Sequence, residues 1–462
     1  MTAVLDAVVC PTPAAVPGAP LAVVGAGRTV PLATGGTTAY VDLDVAASSP
    51  CLQAVADAVA AALPWYASVH RGAGYASQVS TELLEQARQR IGEFLGARPD
   101  DAVVLTRNTT DALALLSHCV PADVTVVSFA SEHHANLLPW RAQLHLLLDV
   151  PASPIAAVEA LEAALAQVEG RALVAVTGAS NVTGEVWPLG RIVAVAHAHG
   201  ARVVVDAAQL APHRAVDLTA LGADWVVLSG HKLYAPYGTG VLAGRADWLD
   251  AAEPYLPGGG AASYVSSEGQ VWQTGPARHE GGTPNVLGAV ALAVACSTLE
   301  EAGRDLLEAR ESALRERLER GLDTVPGLRR LSLWGPEADR IGVATFVVDG
   351  WEPAPLATAL SAEHGIGVRH GRFCAHPLVD ALLADEADPS RSACGEAVTG
   401  TALRASLGVA TTEADVDALV AALHTLVGDG SRLSYARSGS GCVVVDDSRT
   451  SPADVARALL RC

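Results

Sequence analysis

Between residues 171 and 230 the chain alternates short apolar runs with a helically spaced stretch. RALVAVTG (171–178), ARVVVDAAQ (201–209) and ADWVVLSG (223–230) are strand-like and rich in β-branched residues. PLGRIVAVAHAHG (188–200) has helical spacing, opens at Pro188 and stops at Gly200. Upstream, DDAVVLTR (100–107) and VTVVSF (124–129) continue the pattern. Strands this apolar are buried on both faces, and strands separated by helices form βαβ units around a mostly parallel sheet. From about Cys296 the texture changes. STLEEAGRDLLEARESALRERLERGL (297–322) reads as one long charged amphipathic helix. It leads into a second, smaller α/β unit with RIGVATFVVDG, GIGVRHGRFCAHP and a helix near 412–427. The expected organisation is an arm over 1–35, rich in Pro, Ala and Gly and loosely ordered, a large α/β domain over 36–300, and a smaller C-terminal α/β domain over 301–462.

Composition bounds the functions open to such a fold. Half of the 462 residues are hydrophobic, and with 1 Met and 4 Phe the core is aliphatic. A net charge of −19 repels polyanions, which excludes nucleic acid as a partner. The 8 cysteines are scattered with no C-x-x-C pair, as in a reduced, cytoplasmic protein. No basic residue precedes Arg28, so the charged start of a signal peptide is missing, and no apolar run approaches the roughly 20 residues of a spanning helix.

Lys and Arg together number 31, and Lys232 in VVLSGHKLYAPYGTG is the one lysine. Arg replaces Lys in most surface roles. It does not shed its proton in a protein and does not act as an amine nucleophile, whereas a desolvated Lys does both. A position kept as Lys in an arginine-using chain points to a neutral amine at work.

In open α/β sheets, ligands bind beyond the carboxyl ends of the strands. Asp206 closes the strand VVVD and Gln209 follows it. Ser229, His231 and Lys232 follow WVVL. Thr109 and Thr110 follow VVLTR and precede the apolar helix DALALL, where a Thr can cap the helix and offer donors to an anion. An amine, a carboxylate and a phosphate cradle together suit pyridoxal phosphate. His133 and His134 are adjacent and lack a third ligand of suitable spacing, so no metal is expected, and a ring stacked on a cofactor fits better. VVGAGRTV (23–30) begins like a dinucleotide fingerprint but has Val30 where the third Gly belongs. Arg404 in TALRASLG can clamp a carboxylate. Cys374 lies between Arg369, Arg372 and the rest of a loop, and nearby cations favour a thiolate.

These residues fall in an ordered set of motifs: HRGAG after Val69, RNTTDA (107–112), SEHHANLLPW (131–140), SNVTGEVWPL (180–189), VDAAQ (205–209), SGHKLYAPYGTG (229–240), GGTPN (281–285) and VRHGRFCAHP (368–377). Over roughly residues 38–427 the chain resembles the class V, fold type I pyridoxal-phosphate enzymes, in the branch of cysteine desulfurases and selenocysteine lyases. The resemblance implies that Lys232 is the Schiff-base lysine and proton shuttle, and that Asp206 partners the pyridine nitrogen. It implies that Gln209 contacts the ring hydroxyl side and His133 stacks on the ring. Thr109, Thr110, Ser229 and His231 would receive the phosphate, and Thr283 would reach the cofactor of the other subunit in a homodimer. Asn181, Arg404, Arg369 and His70 would face the substrate, and Cys374 would accept sulfur as a persulfide, with a sulfur-acceptor protein as a further partner.

The chain also departs from that pattern. Arg372 and Phe373 precede Cys374 where His is usual. Residues 375–403 form a long segment with Glu386, Asp388 and Cys394. Ala235 stands where Gly is usual, and the tail 428–462 lies beyond the resemblance. The leading functional expectation is carbon–sulfur bond cleavage on cysteine or an S-substituted cysteine. The alternative is a specialised class V enzyme of a biosynthetic pathway, an aminotransferase, epimerase, C–S β-lyase or decarboxylating deaminase, in which Cys374 only packs.

Overall fold

The computed structural model describes residues 19–384, 400–439 and 441–461. Seven strands form the large sheet: β1 (Asp101–Thr106), β2 (Thr125–Phe129), β3 (Leu144–Leu148), β4 (Ala172–Thr177), β5 (Arg202–Asp206), β6 (Trp225–Ser229) and β7 (Gly240–Arg245). Their order is β1-β7-β6-β5-β4-β2-β3. β3, β2, β4, β5 and β6 run parallel, and β7 is antiparallel to both β6 and β1. β4 is buried at every residue, as is β6, which is why both read as unbroken apolar runs. Helices Gln53–Ala62, Tyr75–Phe94, Pro154–Leu165, Leu189–Ala198 and Val286–Glu301 bury aliphatic faces in one core with this sheet.

The C-terminal unit holds an antiparallel sheet of β8 (Leu328–Leu331), β9 (Val343–Val348), β10 (Arg369–Gly371) and β11 (Ala402–Ser406), in the order β8-β9-β11-β10. Helices Arg304–Leu322, Pro353–His364 and Glu413–Asp429 cover it with a second aliphatic core. The last of these opens at Thr412 with a reciprocal capping box to Asp415.

Two expectations need correction. The stretch 297–322 is not one helix. It divides at Gly303, whose φ is +81°, and the two helices meet at an 80° bend. The first half, STLEE, ends a buried helix of the large unit, and only the second half is the charged connector. The arm is also less loose than its composition suggests. Its residues 1–18 lie outside the described residues, but Leu21 is buried and its N–H donates to the carbonyl of Val409 at 3.0 Å. Thr29–Pro31 pairs with Thr37–Ala39, and Val41–Asp42 pairs in parallel with Ile366–Gly367 of the C-terminal unit. Leu21 and Val23 therefore pack into the core of the large unit, Val41–Leu43 pair with the C-terminal unit, and the chain returns to the large unit near residue 46. No single helix among the described residues is long and apolar enough to cross a membrane.

Candidate active site

One cavity of about 300 Å³ lies where β1, β4, β5 and β6 end and the C-terminal unit closes over them. Its size is at the low end of the roughly 300–1,000 Å³ of small-molecule pockets. Thr109, Thr110, His133, Asn181, Asp206, Gln209, Ser229, His231, Lys232, Arg369, Cys374 and Arg404, twelve residues expected from the sequence, line it.

The strand ends explain the convergence. β4, β5 and β6 run parallel, so Thr177, Asp206 and Ser229 finish at one edge. Beyond β6 the chain turns tightly: Gly230 donates to the carbonyl of Thr239 at 2.7 Å and Ala235 to that of Gly230 at 2.8 Å. A Cβ on Gly230 would stand 2.7 Å from the Thr239 oxygen, so only glycine fits between Ser229 and His231. The left-handed residue of this turn is Tyr234, at φ +62°, not Ala235. Alanine in place of glycine therefore meets no backbone conflict.

Lys232 is half-buried on the cavity wall, with its amine among protein atoms, and that amine has no hydrogen-bond or ion-pair partner among the described residues. Burial pushes its pKa down to about 8; the Asp206 carboxylate opposes this and Arg404 adds to it. Burial raises the Asp206 carboxyl, while the Ala208 N–H, 2.9 Å from Oδ1, and Lys232 pull it back. His133 is pushed down to about 3, first by burial and then by Lys232. Its Nδ1 accepts the Ala135 N–H at 3.0 Å, so its ring is neutral and fixed in orientation. Gln209 is anchored by its Nε2 to the carbonyl of Ala46 at 2.7 Å.

The threonines act differently from the cap expected. Asn108 caps the helix Thr109–Cys119, its side chain accepting the Asp111 N–H at 3.0 Å. Thr109 instead donates its N–H to Ser229 Oγ at 2.8 Å, and the two hydroxyls are also 2.8 Å apart. Thr110 is exposed and His231 half-buried on the same wall.

The opposite wall comes from the C-terminal unit. Phe373 and Cys374 both take left-handed backbone, at φ +52° and +54°. Such a pair of non-glycine residues is strained and needs the surroundings to hold it. Here the Asn181 side chain donates to the Phe373 carbonyl at 2.7 Å, and the His134 N–H to that of Cys374 at 2.8 Å. Asn181, expected at a substrate carboxylate, thus spends its amide on the cysteine loop. Cys374 is exposed. Arg404 donates Nη1 to the Asn181 carbonyl at 2.7 Å, lies over the Phe373 ring at 5.1 Å, and has an unpartnered Nε. Burial lowers its pKa to about 10. Arg369 and Arg372 are each already paired, with Asp44 and with Asp380.

Two expected residues lie apart from the cavity of this chain. His70 is exposed and hydrogen-bonds Glu85 at 3.0 Å. Thr283 is exposed in the GGTPN loop. Glu386, Asp388 and Cys394 lie outside the described residues. The sequence reading passed over Asp44, Ala46 and Asn108, and noted Phe373 only as a departure before Cys374. Only Asn108 left a signal, as a residue of a favoured capping type just ahead of an apolar helix.

The donor set fits pyridoxal phosphate: an unpartnered amine on the cavity wall, a carboxylate with one oxygen free of protein donors, a fixed neutral imidazole and a hydroxyl-lined helix start. The model of the aminotransferase class-V family matches residues 41–419. The chain belongs to that family. It is 34% identical over 400 residues to a probable cysteine desulfurase of Vibrio cholerae, covering 83% of this chain and 93% of the relative. It is 36% identical over 381 residues to a cysteine desulfurase of Klebsiella pneumoniae, covering 79% and 88%. The apo structure of a cysteine desulfurase from Thermococcus onnurineus superposes with a TM-score of 0.75 at 31% identity, over 84% of this chain and 95% of that one. The chain is thus a cysteine desulfurase-like class V enzyme, and its fold is that of this family.

Proposed function

We propose that the protein binds pyridoxal phosphate and cleaves the carbon–sulfur bond of cysteine or an S-substituted cysteine, with Cys374 taking the sulfur. The observation that carries this reading is the exposed Cys374 thiol on the wall of the cavity that also holds Lys232, Asp206 and Arg404. Lys232 would hold the cofactor covalently, Asp206 its ring nitrogen, Gln209 its hydroxyl side and His133 a ring face. Thr109, Thr110, Ser229 and His231 would hold its phosphate, with Thr283 of a second subunit completing the site in a homodimer. When bound, the cofactor supplies an electron-withdrawing ring beside the substrate α-carbon.

The chain's own groups do the rest. Arg404 and Arg369 bind the substrate carboxylate. Lys232 Nζ, with a pKa brought near neutrality, takes up a proton and returns one. Cys374 Sγ attacks the sulfur of L-cysteine. The new S–S bond forms as the C–S bond breaks, and its electron pair takes a proton at the β-carbon. Alanine and a Cys374 persulfide result, with no outside oxidant or reductant. The persulfide passes to a sulfur-acceptor protein. The free described thiols suit a reducing compartment such as the cytoplasm.

Product analysis tests this reading. The loaded protein given L-cysteine is expected to yield alanine and a persulfide on Cys374. Cys374→Ala is expected to stop sulfur transfer; unchanged turnover in that variant would overturn the nucleophile role. A second reading is favoured by Phe373, whose ring occupies the cavity wall against Arg404. In it Cys374 is wall only, and the enzyme is a C–S β-lyase, aminotransferase, epimerase or decarboxylating deaminase. Pyruvate and ammonia in place of alanine would select the lyase.

A further inference from the structure

We propose that Asp44 is a positioning residue: it holds Arg369 and Arg404 converged on one point of the cavity, so that a substrate carboxylate meets two guanidinium groups. The proposal rests on the functional reading above. The two arginines stand directly opposite each other on adjacent antiparallel strands, Arg369 in β10 and Arg404 in β11. Like charges opposite each other on neighbouring strands repel. Both side chains line the cavity, and Asp44 does not. Asp44 therefore acts through the arginines.

Among the described residues, Asp44 is the one carboxylate paired with either. It takes Arg369 as a fork, with Nε 3.2 Å from Oδ1 and Nη2 3.1 Å from Oδ2. Arg404 Nη2 stands 3.6 Å from the same Oδ1. One oxygen is thus shared between two cations. Two positive charges against one negative leave one charge for a ligand carboxylate to meet. The other polar contact of the Arg404 guanidinium is the neutral carbonyl of Asn181. Arg404 is 4% exposed at the side chain and Arg369 48%. Without a shared counter-ion, the arginine able to turn away into water is Arg369.

Asp44 owes its place to the backbone, not to the arginines. The Ser406 N–H donates to the Leu43 carbonyl at 2.7 Å, and the Ala46 N–H to Ser406 Oγ at 2.9 Å. Removing the Asp44 charge therefore leaves its backbone anchored.

The test compares L-cysteine with its methyl ester, which lacks the carboxylate charge. Each affinity is read from the change the compound causes in the visible band of the cofactor-loaded protein. Wild type is expected to favour the acid. Asp44→Asn is expected to weaken the acid by about tenfold and the ester by less than about twofold, the loss of one charge-assisted contact. Asp44→Glu keeps the charge and should recover most of the preference. Arg369→Gln, a more exposed site, should lower the acid-to-ester ratio by a similar factor, and adding Asp44→Asn to it should cost little more. An unchanged or raised ratio in Asp44→Asn, or additive losses in the double variant, overturns the proposal. A wild-type protein with no visible band, or with a band that ignores L-cysteine, overturns the functional reading and the proposal with it.

Discussion

The two walls of the cavity are built differently. Asp206 and Ser229 end buried parallel strands, where pleat and register fix each side chain, and Thr109 and Lys232 follow just beyond strand ends, in a helix start and a tight turn. Arg369, Phe373, Cys374 and Arg404 come from a small antiparallel sheet and a strained loop, fixed by a shared carboxylate and by hydrogen bonds to backbone carbonyls. The strand-end wall carries the residues expected to hold the cofactor, and the departure beside it, Ala235, meets no backbone conflict. The other wall carries Phe373, one of the two departures that precede Cys374. A site divided in this way can change its reaction at one wall and leave the cofactor undisturbed at the other.

If the division holds, Lys232→Arg gives the largest effect. It should abolish the visible band and lower turnover by about 10⁴-fold, since a guanidinium neither joins the cofactor nor shuttles the proton. Cys374→Ala should break the other wall alone. Persulfide formation should vanish while the band and the cofactor affinity stay as in wild type; a lost band would show that the two walls are not separable.

A milder test uses pH. Capture of the cofactor aldehyde needs the neutral Lys232 amine, and that amine is protonated below about 8. The capture rate of the cofactor-free protein should therefore rise with pH up to about 8 and level off above it. The Asp206 carboxylate raises the Lys232 pKa, so Asp206→Asn should move the midpoint to lower pH. A midpoint near the ordinary lysine value would contradict the burial argument. The smallest expected effect is that of Ser229→Ala. It leaves the buried Thr109 N–H without its acceptor, at a cost of about 1–3 kcal/mol, and should weaken cofactor retention on equilibrium dialysis.

The same division explains what the sequence disclosed. β4, β5 and β6 were legible because strands buried on both faces leave unbroken apolar runs, and Asp206 and Lys232 stood at or just beyond their ends. Lys232 was legible for a further reason: a lone lysine among arginines can be singled out without any structure. Asp44 was not legible. It lies in VDLD, whose partner Ser406 is more than 350 residues away, and no local pattern encodes a contact at that range. The conformation of Phe373 and Cys374 was also hidden, because non-glycine residues give no sign of left-handed backbone. The bend at Gly303 was missed because the charge pattern of a helix runs on through a residue that stops it.

The stitching of residues 43–46 to Ser406 also bears on how the molecule comes to exist. Ala46 hydrogen-bonds Ser406 across 360 positions of chain. Synthesis at about 5–20 residues per second puts roughly 20–70 s between the emergence of one partner and the other. The floor of the cavity, its lysine included, is translated long before the strand that closes the other side. On the ribosome, the cavity gains its second wall only once Arg404 and Ser406 have emerged.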